Sequence, residues 1–337
     1  MSNYLQNLRI LVAGIEGVPG TMETLDESDF DVRIRNPEVA INVEQDDEAS
    51  KYARGDHGED DVVMGVQSGT ISFMVRCSWG GAVTTAPEWT KFAEACGAVP
   101  ATYAGTGWAL RPVKDYDERT MTIWVYDIQR GATPKAVLYK YAGCIGTMQI
   151  GAEGVGKPWM IKFSFTGKLV DVDFNVANAS IPYLNSIDGT CTDKMLSNTF
   201  TIDSTARLIS SFQLDVGNEV QPLFDQSDST GILHYGITSR KPRFSCNPLV
   251  ADSVDDYGNL SSGLTGCPNM PVLQISANHW TLKVPKGQLI GSNVNAREGL
   301  IGFDQSWKCI ANGVTGSVTD SDLPAEATWE LLQGSRT

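Results

Sequence analysis

Val62-Val-Met-Gly-Val-Gln-Ser-Gly-Thr-Ile-Ser-Phe-Met-Val-Arg-Cys-Ser-Trp79 decides the fold class. From Ile71 to Cys77 every second residue is Ile, Phe, Val or Cys, the period of a strand with one buried face. The stretch reads as one long strand or a bulged pair. The same alternation recurs over 121–128, 136–150 and Trp159–Val172, then in the second half near 207–216, 232–246, 272–284 and 299–311. The chain is therefore expected to be mainly β. Two segments depart from the pattern. Thr85-Ala-Pro-Glu88 resembles a capping box, Trp89, Phe92, Ala93 and Cys96 follow at helical spacing, and Gly97 can end the turn. A second helix is expected through Pro324–Leu332.

The 337 residues suggest roughly two domains. An internal echo points the same way. Met64-Gly-Val-Gln-Ser68 with Phe73 matches Tyr235-Gly-Ile-Thr-Ser239 with Phe244, an offset close to half the chain, as tandem duplication would produce. The expected organisation is a first β-sandwich over 1–176 with a long acidic loop, a linker over 177–200, and a second β-sandwich over 201–337, each with a flanking helix or loop.

The formal charge is −14, and 14 acids against 4 bases fall between Glu23 and Asp61. Residues 44–61 carry Glu44, Asp46, Asp47, Glu48, Asp56, Glu59, Asp60 and Asp61 without apolar periodicity, and read as a projecting loop. So few bases argue against a direct grip on nucleic acid. Arg9 interrupts the first apolar stretch, and no apolar run approaches a membrane span, so a soluble protein made in the cytoplasm is expected. The seven cysteines stand singly at 77, 96, 144, 191, 246, 267 and 309, without a CxxC pair, and read as reduced structural thiols.

Chemical motifs mostly fail on inspection. Gly151-Ala-Glu-Gly-Val-Gly-Lys157 has the spacing of a phosphate loop, but Pro158 follows, with no hydroxyl for magnesium and no amide hydrogen. A Gly-rich hairpin turn is the expected structure. His57, His234 and His279 lie far apart; the latter two fall in expected strands and read as satisfied polar groups. Asp225-Gln-Ser-Asp228 and Asp252-Ser-Val-Asp-Asp256 lack the ligand spacing of a calcium loop. No nucleophile elbow or reactive-cysteine context is present, and most of the eight tryptophans fall in core patterns. The expectation is a protein with no enzymatic activity, no cofactor and no metal.

The order of elements carries a resemblance. Gly17-Val-Pro-Gly-Thr21, the acidic loop, the strand Val62–Trp79, Pro87-Glu-Trp-Thr-Lys-Phe-Ala-Glu-Ala-Cys-Gly97 and Phe163-Ser-Phe-Thr-Gly167 follow one another. Phe212-Gln-Leu-Asp-Val-Gly-Asn-Glu-Val220 and Ile237-Thr-Ser-Arg-Lys-Pro242 come in the second half. Together they resemble the major tail tube proteins of long, non-contractile-tailed bacteriophages, in their two-domain type. The resemblance implies tandem β-sandwiches whose rings stack into a virion tail tube with a β-barrel lumen, assembled in the host cytoplasm. Its partners would be copies of itself, expected as trimeric rings because each chain would supply two units. Tail tip, tape measure and tail terminator proteins would join it, and no membrane. The acidic loop would contact neighbouring subunits or rings, and DNA would pass without specific binding through a channel that an acidic protein makes repulsive. The competing class is a virion- or cell-surface β-sandwich that binds or decorates.

Overall fold

The computed structural model describes residues 4–26, 29, 34–46, 63–79, 82, 86–103, 107–112, 119–129, 135–177, 180–181, 192–248, 270–297, 300–313 and 327–333. It is mainly β, in antiparallel sheets. Eight strands cross the largest sheet in one path: β2 (Ile34–Asp46), β3 (Val63–Arg76), β8 (Met160–Ala177), β7 (Lys135–Ala152), β11 (Ile209–Asp215), β14 (Arg243–Pro248), β18 (Leu300–Ile310) and β17 (Lys286–Arg297). Every neighbouring pair is antiparallel. Along the other half of β7 the partner is β6 (Met121–Gln129), on which β1 (Tyr4–Ile15) pairs in turn.

A seven-stranded sheet packs on one face of the first. Its order is β10 (Thr205–Arg207), β9 (Thr199–Ile202), β15 (Leu273–Ser276), β16 (Trp280–Val284), β19 (Glu330–Gln333), β5 (Gly107–Pro112) and β4 (Ala98–Tyr103). One buried cluster draws Phe73, Phe163, Phe212, Phe244 and Trp307 from the large sheet and Leu110, Phe200, Ile275, Trp280 and Leu331 from the small one. The alternation seen in the sequence has this cause: Ile71, Phe73 and Val75 of β3 enter the cluster, and Ser72, Met74 and Arg76 do not. Burying one such Phe contributes about 1.5–3 kcal/mol.

The two halves of the chain share both sheets and this core. The β7–β11 ladder and the β19–β5 ladder each join strands from opposite sides of the expected 177–200 linker. The described part of that linker is itself held: Trp159 N–H donates to the Asp193 carbonyl at 2.9 Å and Met195 N–H to the Lys157 carbonyl at 2.8 Å. Within the eight-strand path, however, each half gives four strands in the same spatial order, its first, second, fourth and third in the chain. Phe73 on β3 and Phe244 on β14 occupy second place in each set, whereas Met64–Ser68 lies in β3 and its match 235–239 in β13, outside the path.

The expected helix over Thr85–Gly97 is shorter, α1 (Thr90–Glu94). Thr85 lies outside the described residues, and Trp89 at the N-cap makes no side-chain capping bond; Thr90 Oγ1 donates to the Pro87 carbonyl instead. Gly97 does end the turn, at φ +71, with its N–H donating to the Glu94 carbonyl. The expected terminal helix is not there: Glu330–Gln333 is β19, buried on both faces between β16 and β5. Helix-forming residues yield to two ladders at once, because tertiary pairing outweighs propensities of a few tenths of a kcal/mol per residue. The Gly151–Lys157 stretch is the turn of the β7–β8 hairpin.

Candidate functional site

The large sheet has a second face, and much of it is open. Part of it is covered by a hairpin of β12 (Asn218–Phe224) and β13 (Ile232–Arg240), which folds back over β7, β8 and β3 and buries Ile145, Ile232 and Tyr235. Three contacts fix this cover. Asn218 Nδ2 donates to the Cys96 and Gly146 carbonyls at 2.7 and 2.9 Å. Lys168 Nζ donates to Asp228 Oδ2 at 2.7 Å across the hairpin tip. Burial alone would raise the Asp228 pKa, but the bonds from Lys168 and Thr230 outweigh it and hold the carboxyl at about 2.

Beyond the cover lies a cleft of about 590 Å³ whose lining includes Met74, Gln149, Lys162, Gln213, Ser245 and Asp304. Strand register places its residues in rows perpendicular to the strands. One row runs Ser306, Ser245, Gln213, Gly151, Met160, Arg76. The next runs Gln288, Lys308, Arg243, Asp215, Gln149, Lys162, Met74, Arg35, one residue from each of the eight strands. Directly opposed residues share a face, so these side chains stand together above the sheet. Lys308, Arg243, Lys162 and Arg35 are exposed. Asp215 is the row's acid; its Oδ2 accepts from Gln149 Nε2 and its Oδ1 from the Gly217 N–H, each at 2.9 Å.

Sequence reasoning missed this row. Each base is isolated in the sequence, and only cross-strand register brings the four into line. Net charge says nothing about how charge divides between faces. Of the acids singled out in 44–61, Glu44 and Asp46 belong to β2 at the far end of the sheet, where Asp46 pairs with Val63. Asp47, Glu48, Asp56, Glu59, Asp60 and Asp61 lie outside the described residues, as do His57, Cys191, Cys267 and Asp252–Asp256.

Other chemical groups are spoken for. Glu16 is buried, and its carboxylate accepts from the Gly20 and Gly143 N–H groups at 2.7 and 2.8 Å and from the hydroxyls of Thr120 and Thr122. This clasp pins the Gly17–Thr21 loop to β6 and β7. His234 lies in β13, as expected, with Nδ1 2.9 Å from the Tyr235 carbonyl. His279 sits in the turn between β15 and β16, its Nδ1 2.7 Å from buried Asp193, whose other oxygen accepts the His279 and Trp280 N–H groups. Desolvation pushes the Cys77, Cys96 and Cys144 thiols well up and Cys309 up to about 12, so these sulfurs are poor nucleophiles. Among the described residues no three His, Cys, Asp or Glu converge as metal ligands. Compared with protein-family models and with curated proteins, the sequence matches none.

Proposed function

We propose that the chain is a structural subunit of a phage tail tube, a ring-forming virion protein that catalyses no reaction. The observation that carries this reading is the eight-strand path itself. Among the described residues, β2 and β17 each pair on one side only, so the eight-strand path has two open ends; β1, off the path, is likewise paired only with β6. Open edges are templates for further pairing unless they are protected. Eight alternating strands place β2 and β17 in opposite directions. Copies related by rotation about an axis along the strands would therefore join β17 to β2 as one more antiparallel pair. Such a head-to-tail contact generates a ring when the rotation closes.

Three copies of an eight-strand path would put 24 strands in the wall. At about 4.8 Å between strands and a tilt near 40°, that wall is roughly 45–50 Å across, a channel instead of a packed core. Four strands from each half, in the same order, support a threefold ring with approximate sixfold symmetry. Tail tip, tape measure and terminator proteins would be the other partners, and the setting would be the virion tail. The open cleft favours one alternative, a surface-binding module, whose signature is a stable monomer that takes up glycans and never polymerises. Electron micrographs of assembled particles decide: a central channel with three copies per ring is expected, and six copies per ring would remove the argument from the shared path.

A further inference from the structure

We propose that the transverse row Lys308–Arg243–Lys162–Arg35 is a contact belt for the phosphate backbone of duplex DNA. Register places the four bases in one line across the sheet, on strands β18, β14, β8 and β2. Six interstrand steps at about 4.8 Å make the line about 29 Å long. All four are exposed, and none makes an ion pair among the described residues.

Folded proteins with spare acid usually neutralise neighbouring bases. The acid in the line, Asp215, stands directly opposite Arg243, and its two oxygens accept from Gln149 and the Gly217 N–H. Adjacent Lys308 and Arg243 are directly opposed, a like-charge pair that costs stability unless an anion is present. A band of four bases on a chain of net charge −14 is thus placed against the global balance. The row's eight residues include no aromatic side chain to stack on a base, and its exposed charges favour contact with backbone phosphates that is indifferent to sequence.

The choice of DNA as the polyanion rests on the tail-tube reading, in which the open face lines the channel and the belt becomes a collar around it. A collar of bases would hold a passing duplex against the wall at one level of the tube. Because contact energy with phosphates is electrostatic, the hold would be weak and salt-sensitive, compatible with sliding.

The test is titration of a fluorescent 30-base-pair duplex with the full chain between 20 and 200 mM salt. Four phosphate contacts predict a slope of log K against log salt of about −3.6. Lys162→Gln with Arg243→Gln should weaken binding at least tenfold at low salt and bring the slope to about −1.8. Lys135→Gln, at the opposite end of β7, should leave both unchanged. No binding by the parent, or the same slope in the double variant, overturns the belt. So does preferential capture of polyglutamate over the duplex, which would make the row a dock for an acidic protein segment. Tubes without DNA binding would sink the belt and leave the tube reading standing; belt binding by a chain that never polymerises would do the reverse.

Discussion

The hairpin β2–β3 and the hairpin β11–β14 start from equivalent places in the sheet and end differently. The first stays within the sheet along its length, its ladder extending from Ile34 opposite Val75 to Asp46 opposite Val63 with two register shifts. The second bends where β11 gives way to β12 and β13 to β14, and its tip lies down on the open face. Gly217, at φ +63, makes the bend, with Lys241 N–H donating to its carbonyl at 3.0 Å. Two elements at matching places in the path thus differ: the acidic segment 47–62 joins the strands of one, and the tip of the other covers Ile145.

The largest expected effects test whether the two hairpins still share a core. Phe73→Ala and Phe244→Ala should each cost about 3–5 kcal/mol in urea unfolding, because both rings are fully buried among aromatic neighbours. A difference above about 2 kcal/mol between them would mean that equivalent places in the path no longer do equivalent work. Next comes the bend. A Cβ at position 217 would lie 2.4 Å from the Lys241 carbonyl oxygen, so Gly217→Ala should cost about 1–3 kcal/mol. Full stability in that variant would show that the backbone there accommodates a side chain without strain.

The clamp at the tip gives a pH signature. The folded Asp228 carboxyl sits at about 2, against about 4 when unfolded. Its stabilisation is therefore complete above roughly pH 5 and drains away as pH falls through 2. Partial exposure reduces it, so Asp228→Asn should cost only about 1 kcal/mol at pH 7 and nothing near pH 2. Melting curves across that range that never converge would remove the Lys168 pair as the cause. The smallest effect belongs to the β2–β3 hairpin. Replacing residues 48–60 with a short turn should shift stability by less than about 1 kcal/mol, since closure entropy changes slowly with length. Tube growth should nevertheless stop; normal growth would reduce the segment to solubilising surface.

What could be read from the sequence was what depends on period. β3, β7 and β8 announce themselves because one face of each is buried by Phe, Ile and Val. β17 does not: Gly287, Gly291, Asn293 and Asn295 give it poor strand propensity, and it forms through the long ladder to β18. β19 was hidden for the opposite reason, since a strand buried on both faces shows no alternation. The β-rich class and the helix stop at Gly97 follow from local chemistry. The Glu16 clasp and the transverse row do not, because their members are brought together from separate strands, and neither has a spacing that a motif could capture.

The place of β19 sets a clock for the chain's manufacture. Leu331 and Leu332 fill the gap between β5 and β16, pairing with Leu110 and Ala109 on one side and Leu282 and Thr281 on the other. At a synthesis rate of about 5–20 residues per second, on the order of 10–45 s separate the emergence of β5 from that of its partner. Throughout that interval Trp108 and Leu110 belong to an unfinished sheet with an unpaired edge. Nascent chains are then at their most adhesive, and ribosome-stalled fragments ending before residue 330 should be the species that chaperones capture.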